Sequence, residues 1–128
     1  MEEVIFILYV REQEASKKFY EKVLNVKPGL DVPGMTEFRL TGSSKLGLMP
    51  EAGIKKLLGD NIFPRERDTE IPGCELYMYV EEPDKYLARL PEAGGRILSP
   101  VEKRNWGDDA GYGIDIDGHV IAFAKKGD

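Results

Sequence analysis

The chain carries one strand-like segment twice. Leu8-Tyr9-Val10-Arg11-Glu12 returns later as Met78-Tyr79-Val80-Glu81-Glu82, and each copy leads into a stretch with helical spacing. An internal repeat constrains a fold more than any single motif, because each unit must bury its apolar face against a neighbour. Two copies make a duplicated module and not a solenoid. Where the two modules meet, the paired strands are expected to form a cleft.

The order of elements inside each copy follows from periodicity. Val4 to Val10 reads as a strand, apolar on both faces and therefore covered on both. From Glu14 to Leu24 the spacing is helical, with Ala15, Phe19 and Val23 on one stripe and Tyr20 and Leu24 beside it. Pro28-Gly29 closes that unit, and strands follow over 30–32, 35–41 and 45–49, separated by Pro33-Gly34 and Gly42-Ser43-Ser44. The second copy repeats the order: a strand from Cys74 to Val80 and a helix from Pro83 to Ala93, buried through Tyr86, Leu87 and Leu90 and stopped by Gly94-Gly95. Strands over 96–101, 110–115 and 120–125 complete it, the last two joined by Asp117-Gly118. The expected fold is α+β: one domain spanning 1–128, built from two βαβββ modules in tandem (about 1–49 and 74–128, with a linker at 50–73). They would form a curved mixed sheet with helices on the outer face and a concave cleft. Within the linker, 54–58 suggests a short helix and 63–68 an exposed loop, with a flap over the cleft as the alternative.

Composition removes several classes of function. The 128 residues carry a net charge of −5, and no run of Lys or Arg exceeds two, so the clustered basic surface of a nucleic-acid binder is missing. The longest apolar run, Val4 to Val10, falls far short of the roughly 20 residues a membrane helix requires. Met1-Glu2-Glu3 is acidic where a signal peptide would be basic. A single cysteine, Cys74, points to a cytoplasmic protein with a structural thiol.

Strand side chains alternate between faces, so the repeat sorts them. Phe6, Leu8 and Val10 correspond to Leu76, Met78 and Val80, uniformly apolar and expected beneath the helices. Ile5, Ile7 and Tyr9 correspond to Glu75, Tyr77 and Tyr79, the mixed set expected to face the cleft. Lys45, Gly47 and Met49 join that face with their counterparts Val120, Ala122 and Ala124, while Leu46, Leu48, Ile121 and Phe123 pack inward. Glu37 and Arg39 face the cleft if Phe38 and Leu40 are core, and Tyr112, sharing parity with Phe38, is assigned to the core. Tyr9, Glu37, Arg39, Met49, Glu75, Tyr77 and Tyr79, with Trp106 at the mouth of the closing strands, are thus the candidate ligand-binding residues. Small-molecule pockets are lined this way, mostly apolar and aromatic with a few polar groups.

Two segments resemble a known family. The run Phe6-Ile7-Leu8-Tyr9-Val10-Arg11-Glu12-Gln13-Glu14-Ala15-Ser16-Lys17-Lys18-Phe19-Tyr20 resembles the opening strand and helix of the vicinal oxygen chelate superfamily. That group holds glyoxalase I, bleomycin- and fosfomycin-resistance proteins and extradiol dioxygenases. Trp106-Gly107-Asp108-Asp109-Ala110-Gly111-Tyr112-Gly113-Ile114-Asp115-Ile116-Asp117-Gly118-His119 is similar to the family's closing strand pair and its turn. The resemblance implies a divalent metal held by four side chains, and by register those positions are Ile5, Gly47, Glu75 and Ala122. Three of these cannot ligate a metal, so neither metal nor other cofactor is expected. His119 matches the family's turn and not a ligand position. Asp109 stands where many relatives carry Arg. The resemblance is closest in kind to the metal-free resistance proteins, which imply a homodimer that sequesters a ligand in aromatic clefts.

Three readings are thereby set out. The first is a binder of a small, partly aromatic or cationic organic molecule, acting as a homodimer with no nucleic-acid or membrane partner. The second is a lyase, isomerase or dioxygenase-type enzyme of the same superfamily, with Glu75 as general base or an atypical metal site. The third is a structural subunit of something larger. Glu75 has its own plain alternative, an ion pair with Arg39, and the tyrosines and Trp106 could equally pack a rim or a dimer interface.

Overall fold

The computed structural model describes residues 1–61 and 71–127. Residues 62–70, where the exposed loop or flap is expected, lie outside the described residues. The chain divides into two compact units, the first dominated by residues 1–61 and the second by 71–127. Each builds its own four-stranded mixed sheet, so the fold is α+β in two tandem βαβββ modules.

In the first module β1 (Val4–Val10) leads into α1 (Gln13–Leu24), and β2 (Leu30–Val32), β3 (Met35–Thr41) and β4 (Ser44–Pro50) follow. The sheet order is β1-β4-β3-β2, with β1 parallel to β4 and the other pairs antiparallel. Asn25, in the left-handed region at φ 57°, ends α1 before Pro28-Gly29 is reached. Gln13 ties the first turn of α1 to the β2–β3 hairpin: its amide nitrogen donates to the Val32 carbonyl and the Thr36 hydroxyl, both at 2.8 Å. Its amide oxygen accepts from the Gly34 N–H at 3.0 Å. Phe19, Tyr20, Phe38, Leu46 and Leu48 form the core, and the rings of Tyr20 and Phe38 lie 6.5 Å apart. Two expectations fail here. Ser16, not Ala15, completes the buried stripe of α1. Phe6 is 52% exposed although it shares parity with buried Val10, because it stands on the edge strand, whereas Tyr20 of α1 lies against Phe38 of inner strand β3.

After Pro50 the chain turns at once into α2 (Glu51–Leu58), which begins earlier than the spacing suggests and buries Ile54. A single 3-10 turn over Gly59–Asn61 follows.

The second module repeats the pattern with β5 (Glu75–Tyr79), α3 (Pro83–Glu92), β6 (Arg96–Lys103), β7 (Asp109–Ile114) and β8 (Val120–Lys125), in sheet order β5-β8-β7-β6. Leu87 and Leu90 of α3 press onto one face, together with buried Ile121 and Phe123, and the Tyr86 ring sits 5.1 Å from that of Phe123. Tyr112 is not part of this core. The positions facing α3 are Gly111 and Gly113, where an added Cβ would meet Leu87 and Leu90, so Tyr112 projects from the opposite face. The β7–β8 turn is fixed by buried Asp115, whose carboxylate accepts from the backbone N–H groups of Asp117 and His119 and meets His119 Nδ1 at 2.8 Å. His119 therefore has the turn role expected of it.

Candidate functional site

The side chains that converge lie on the face of the second sheet away from α3. Register sets the floor. Tyr77 pairs with Ala122 and Ala122 with Tyr112; Tyr79 pairs with Ala124 and Ala124 with Ala110. Alanine at both central positions leaves room for the tyrosines of β5 to lean across β8, and both alanines are fully covered. The β6–β7 hairpin supplies the other wall. Gly107 takes φ 102°, a conformation that favours glycine, and the Arg104 N–H donates to the Asp108 carbonyl at 2.8 Å. This tight turn presents Trp106 and Asp108 to the tyrosines.

One carboxylate oxygen holds the group together. Tyr77 Oη and Tyr79 Oη each donate to Asp108 Oδ2 at 2.8 Å, and Trp106 Nε1 donates to Tyr77 Oη at 3.0 Å. The two tyrosine rings meet edge-on, with centroids 5.5 Å apart. Lys126 continues the alternation of β8 onto the same face, its ammonium 5.0 Å from the centre of the Tyr79 ring. Arg104 is locked by hydrogen bonds to Ala110 O, Ser99 Oγ and Pro100 O, with its guanidinium 5.3 Å from the Tyr112 ring.

The electrostatics follow from these contacts. Burial, assisted by the adjacent Asp108 charge, pushes the Tyr77 phenol up to about 12 despite the opposing hydrogen bond from Trp106. The hydrogen bond to Asp108, and then burial, raise Tyr79. The two phenols hold Asp108 below the ordinary carboxylate value, with help from the Gly127 N–H and the Lys126 charge. Asp108 is thus a nearly buried anion at neutral pH, capped by two phenols and edged by exposed aromatic surface: Tyr79 is 52% and Trp106 56% exposed.

The other expected residues do not join this group. Glu75, at the start of the same face, is exposed. Burial, and then the Glu75 charge, raise the Tyr112 phenol. In the first module Glu37 pairs with Lys45 at 3.0 Å, and Arg39 pairs with Glu3 at 2.9 Å, which makes Glu3 the partner in place of Glu75. Tyr9 is exposed beside half-buried Met49, its register partner. Sequence reasoning missed Asp108 and Lys126. Both were signalled by strand alternation, Asp108 with Ala110 and Tyr112, Lys126 with Ala122 and Ala124.

The metal positions implied by resemblance do not fit a metal. Gly47 is roofed by Ile5, Ile7 and Met35, whose atoms would lie 3.1–3.4 Å from an added Cβ. Ala122 is buried under the second-module tyrosines, and of the four positions Glu75 alone offers oxygen. Among the described residues no three His, Cys, Asp or Glu side chains cluster as a metal site. Separately, an open groove of about 700 Å³ runs past the start of α3, lined by Glu82, Pro83, Glu102, Lys103, Asp109 and Lys125. Its walls carry both signs of charge and no aromatic ring. Cys74 is exposed and unpaired.

Tandem βαβββ modules, each with a β1-β4-β3-β2 type sheet, define a glyoxalase-type α+β protein. The Glyoxalase-like domain family matches residues 3–126, and the chain belongs to that family, within the vicinal oxygen chelate superfamily. In fold it is similar to a glyoxalase-related enzyme from Fulvimarina pelagi, with a TM-score of 0.81 at 23% identity over 96% of this chain and 86% of that one. A glyoxalase/bleomycin resistance protein/dioxygenase family enzyme from Burkholderia phytofirmans gives 0.78 at 17% identity, over 94% and 95%. A glyoxalase/bleomycin resistance protein from Albidiferax ferrireducens gives 0.69 at 21%, over 98% of each chain. No curated protein matches the sequence. Among the described residues no helix is long and apolar enough to cross a membrane.

Proposed function

We propose that this protein binds a small, partly aromatic or cationic organic molecule without a metal, on the face formed by Tyr77, Tyr79, Trp106 and Asp108. The observation that carries the reading is the half-exposed pair of rings, Tyr79 and Trp106, rigidly oriented around one buried carboxylate. Preorganised aromatic surface binds flat molecules at little ordering cost. Covering about 150 Å² of ligand contributes roughly 4 kcal/mol before the cost of association. The alternative, a lyase, isomerase or dioxygenase-type enzyme with Glu75 as base, has less support, since Glu75 is exposed and three of the four implied metal positions carry no donor.

A homodimer of cytoplasmic protein is part of the proposal. Edge strand β1 exposes Val4, Ile5, Phe6, Ile7 and Tyr9, apolar on both faces, which is the kind of edge a second copy covers. Titration of the purified protein with aromatic compounds of each charge type, followed by Trp106 emission and melting temperature, tests the binding reading. Saturable change with at least one class is expected. No response to any class sinks it.

A further inference from the structure

The binding face contains a cation of its own, and its position says what the face selects. We infer that the site prefers organic ligands bearing an ammonium group, and that Lys126 is an internal competitor for the place such a group would take. The inference rests on the binding reading above and narrows it to one ligand class.

Three observations support it. Asp108 is only 8% exposed, and both phenols donate to one of its oxygens, which satisfies the carboxylate without neutralising it. A carboxylate held in so little water projects its field through the rings that cap it. Those rings already present electron-rich faces to a cation. Lys126 shows where the field is felt: its ammonium stands 5.0 Å from the Tyr79 ring centre and within Coulombic reach of Asp108. Lys126 is exposed and forms none of the ion pairs found among the described residues, so the Tyr79 ring and the Asp108 charge are the attractions that the described residues offer it. An arriving alkylammonium meets the same attractions and can add contact with Trp106. A neutral ring gains stacking only, and an anion is repelled by Asp108.

Lys126 is also placed to move away. The backbone just after Lys126 packs against the 104–108 turn, where a Cβ added to Gly127 would meet the Gly107 carbonyl, while the flexible lysine stem can swing aside. Displacement therefore costs a side-chain rotation and leaves the sheet intact.

The test compares three soluble probes of similar size: benzyltrimethylammonium, benzyl alcohol and benzoate. Trp106 is the only tryptophan, so its emission and its indole N–H resonance report the site directly. Benzyltrimethylammonium is expected to bind at least about threefold tighter than benzyl alcohol, with benzoate weakest. Lys126→Ala should tighten the cation by about three- to fivefold and raise the ratio of its affinity to that of benzyl alcohol. Lys85→Ala removes the same charge from exposed α3 and should change none of the three. If all three probes bind equally to wild type, the ammonium preference is wrong while the binding reading stands. If Lys85→Ala matches Lys126→Ala, Lys126 is no competitor. If no probe binds wild type or Lys126→Ala, both readings fall together.

Discussion

Substituting Gly113 by alanine tests the placement on which the site depends. The structure puts Gly111 and Gly113 beneath α3, and so puts Tyr112 and the Tyr77 row on the opposite face. A methyl on Gly113 would fall inside the radius of Leu90 Cδ1 and 2.8 Å from the Arg96 carbonyl oxygen. Leu90 is fully buried and has no open space to rotate into, while the Arg96 carbonyl belongs to β6 and moves only if that strand moves. Overpacking typically costs 1–3 kcal/mol, and backbone involvement places Gly113→Ala near the upper end, at about 3 kcal/mol. The smaller entropy of the unfolded alanine chain offsets about 0.5 to 1 kcal/mol, leaving a net loss of about 2 kcal/mol. Leu90→Ala alone should cost about 3 kcal/mol by opening a cavity. The double variant should lose about 1–2 kcal/mol less than the two single losses together, since the new methyl enters the vacated space. Urea unfolding, read as midpoint shifts at constant slope, measures all three. A neutral Gly113→Ala, or strict additivity in the double variant, would mean that α3 does not lie on this face.

Two further outcomes follow from the site and the edge strand. Asp108→Asn should lower the Tyr77 and Tyr79 phenols toward the ordinary value of 10.0, seen as earlier tyrosinate absorbance for two of the six tyrosines; no change would refute the hydrogen-bonded pair. The linkage has a definite sign on each side. Tyr77, raised to about 12, contributes stability that is complete below pH 10 and lost as pH climbs towards 12. Asp108, lowered from 3.8, contributes stability present above that value and lost as pH falls through its folded value, and Asp108→Asn should remove this acid-side sensitivity. For the edge strand, sedimentation should show a dimer for the native chain and a monomer for Phe6→Glu, which changes an exposed ring; a monomeric native chain would end the proposal that a second copy covers β1.

The modules were legible because the inner strands of each sheet alternate over a covered face. That is why Leu46, Leu48, Ile121 and Phe123 lie buried as parity requires. Parity went astray where the two copies were matched one residue out: by register Gly113, not Tyr112, is the counterpart of Phe38. In Ala110-Gly111-Tyr112-Gly113 the core side is occupied by leucines from α3 that reach the strand and leave space only for glycine, so Tyr112 faces the other way. Phe6 was misplaced for another reason: alternation gives the face of a strand and not its position in the sheet, and an edge position left this ring uncovered. Asp108 was overlooked because Asp108-Asp109 beside a Trp-Gly turn has the composition of a solvated loop. Alternation carried back from Tyr112 and Ala110 past the start of β7 puts it on the tyrosine side, where both phenols reach it.

The duplication explains why one module, and not both, carries the proposed site. Equivalent positions on the two sheets began with the same geometry and were filled by opposite solutions. In the first, Ile5, Ile7 and Met35 close over Gly47, and the polar residues of that face satisfy one another through Glu3, Lys45, Glu37 and Arg39. Hydrogen bonds from Lys45 and Arg39 overcome desolvation to hold Glu3 low, so its charge is already answered within the module. A ligand arriving there would have to break ion pairs that water screens only partly. In the second, the central strand is cut back to alanine, the aromatic residues stand on that low floor, and the charge of Asp108 is met by phenols and a loosely held lysine. Stabilising a face against itself and keeping it available to a partner are opposed demands on the same few side chains. A tandem repeat lets each copy meet one of them.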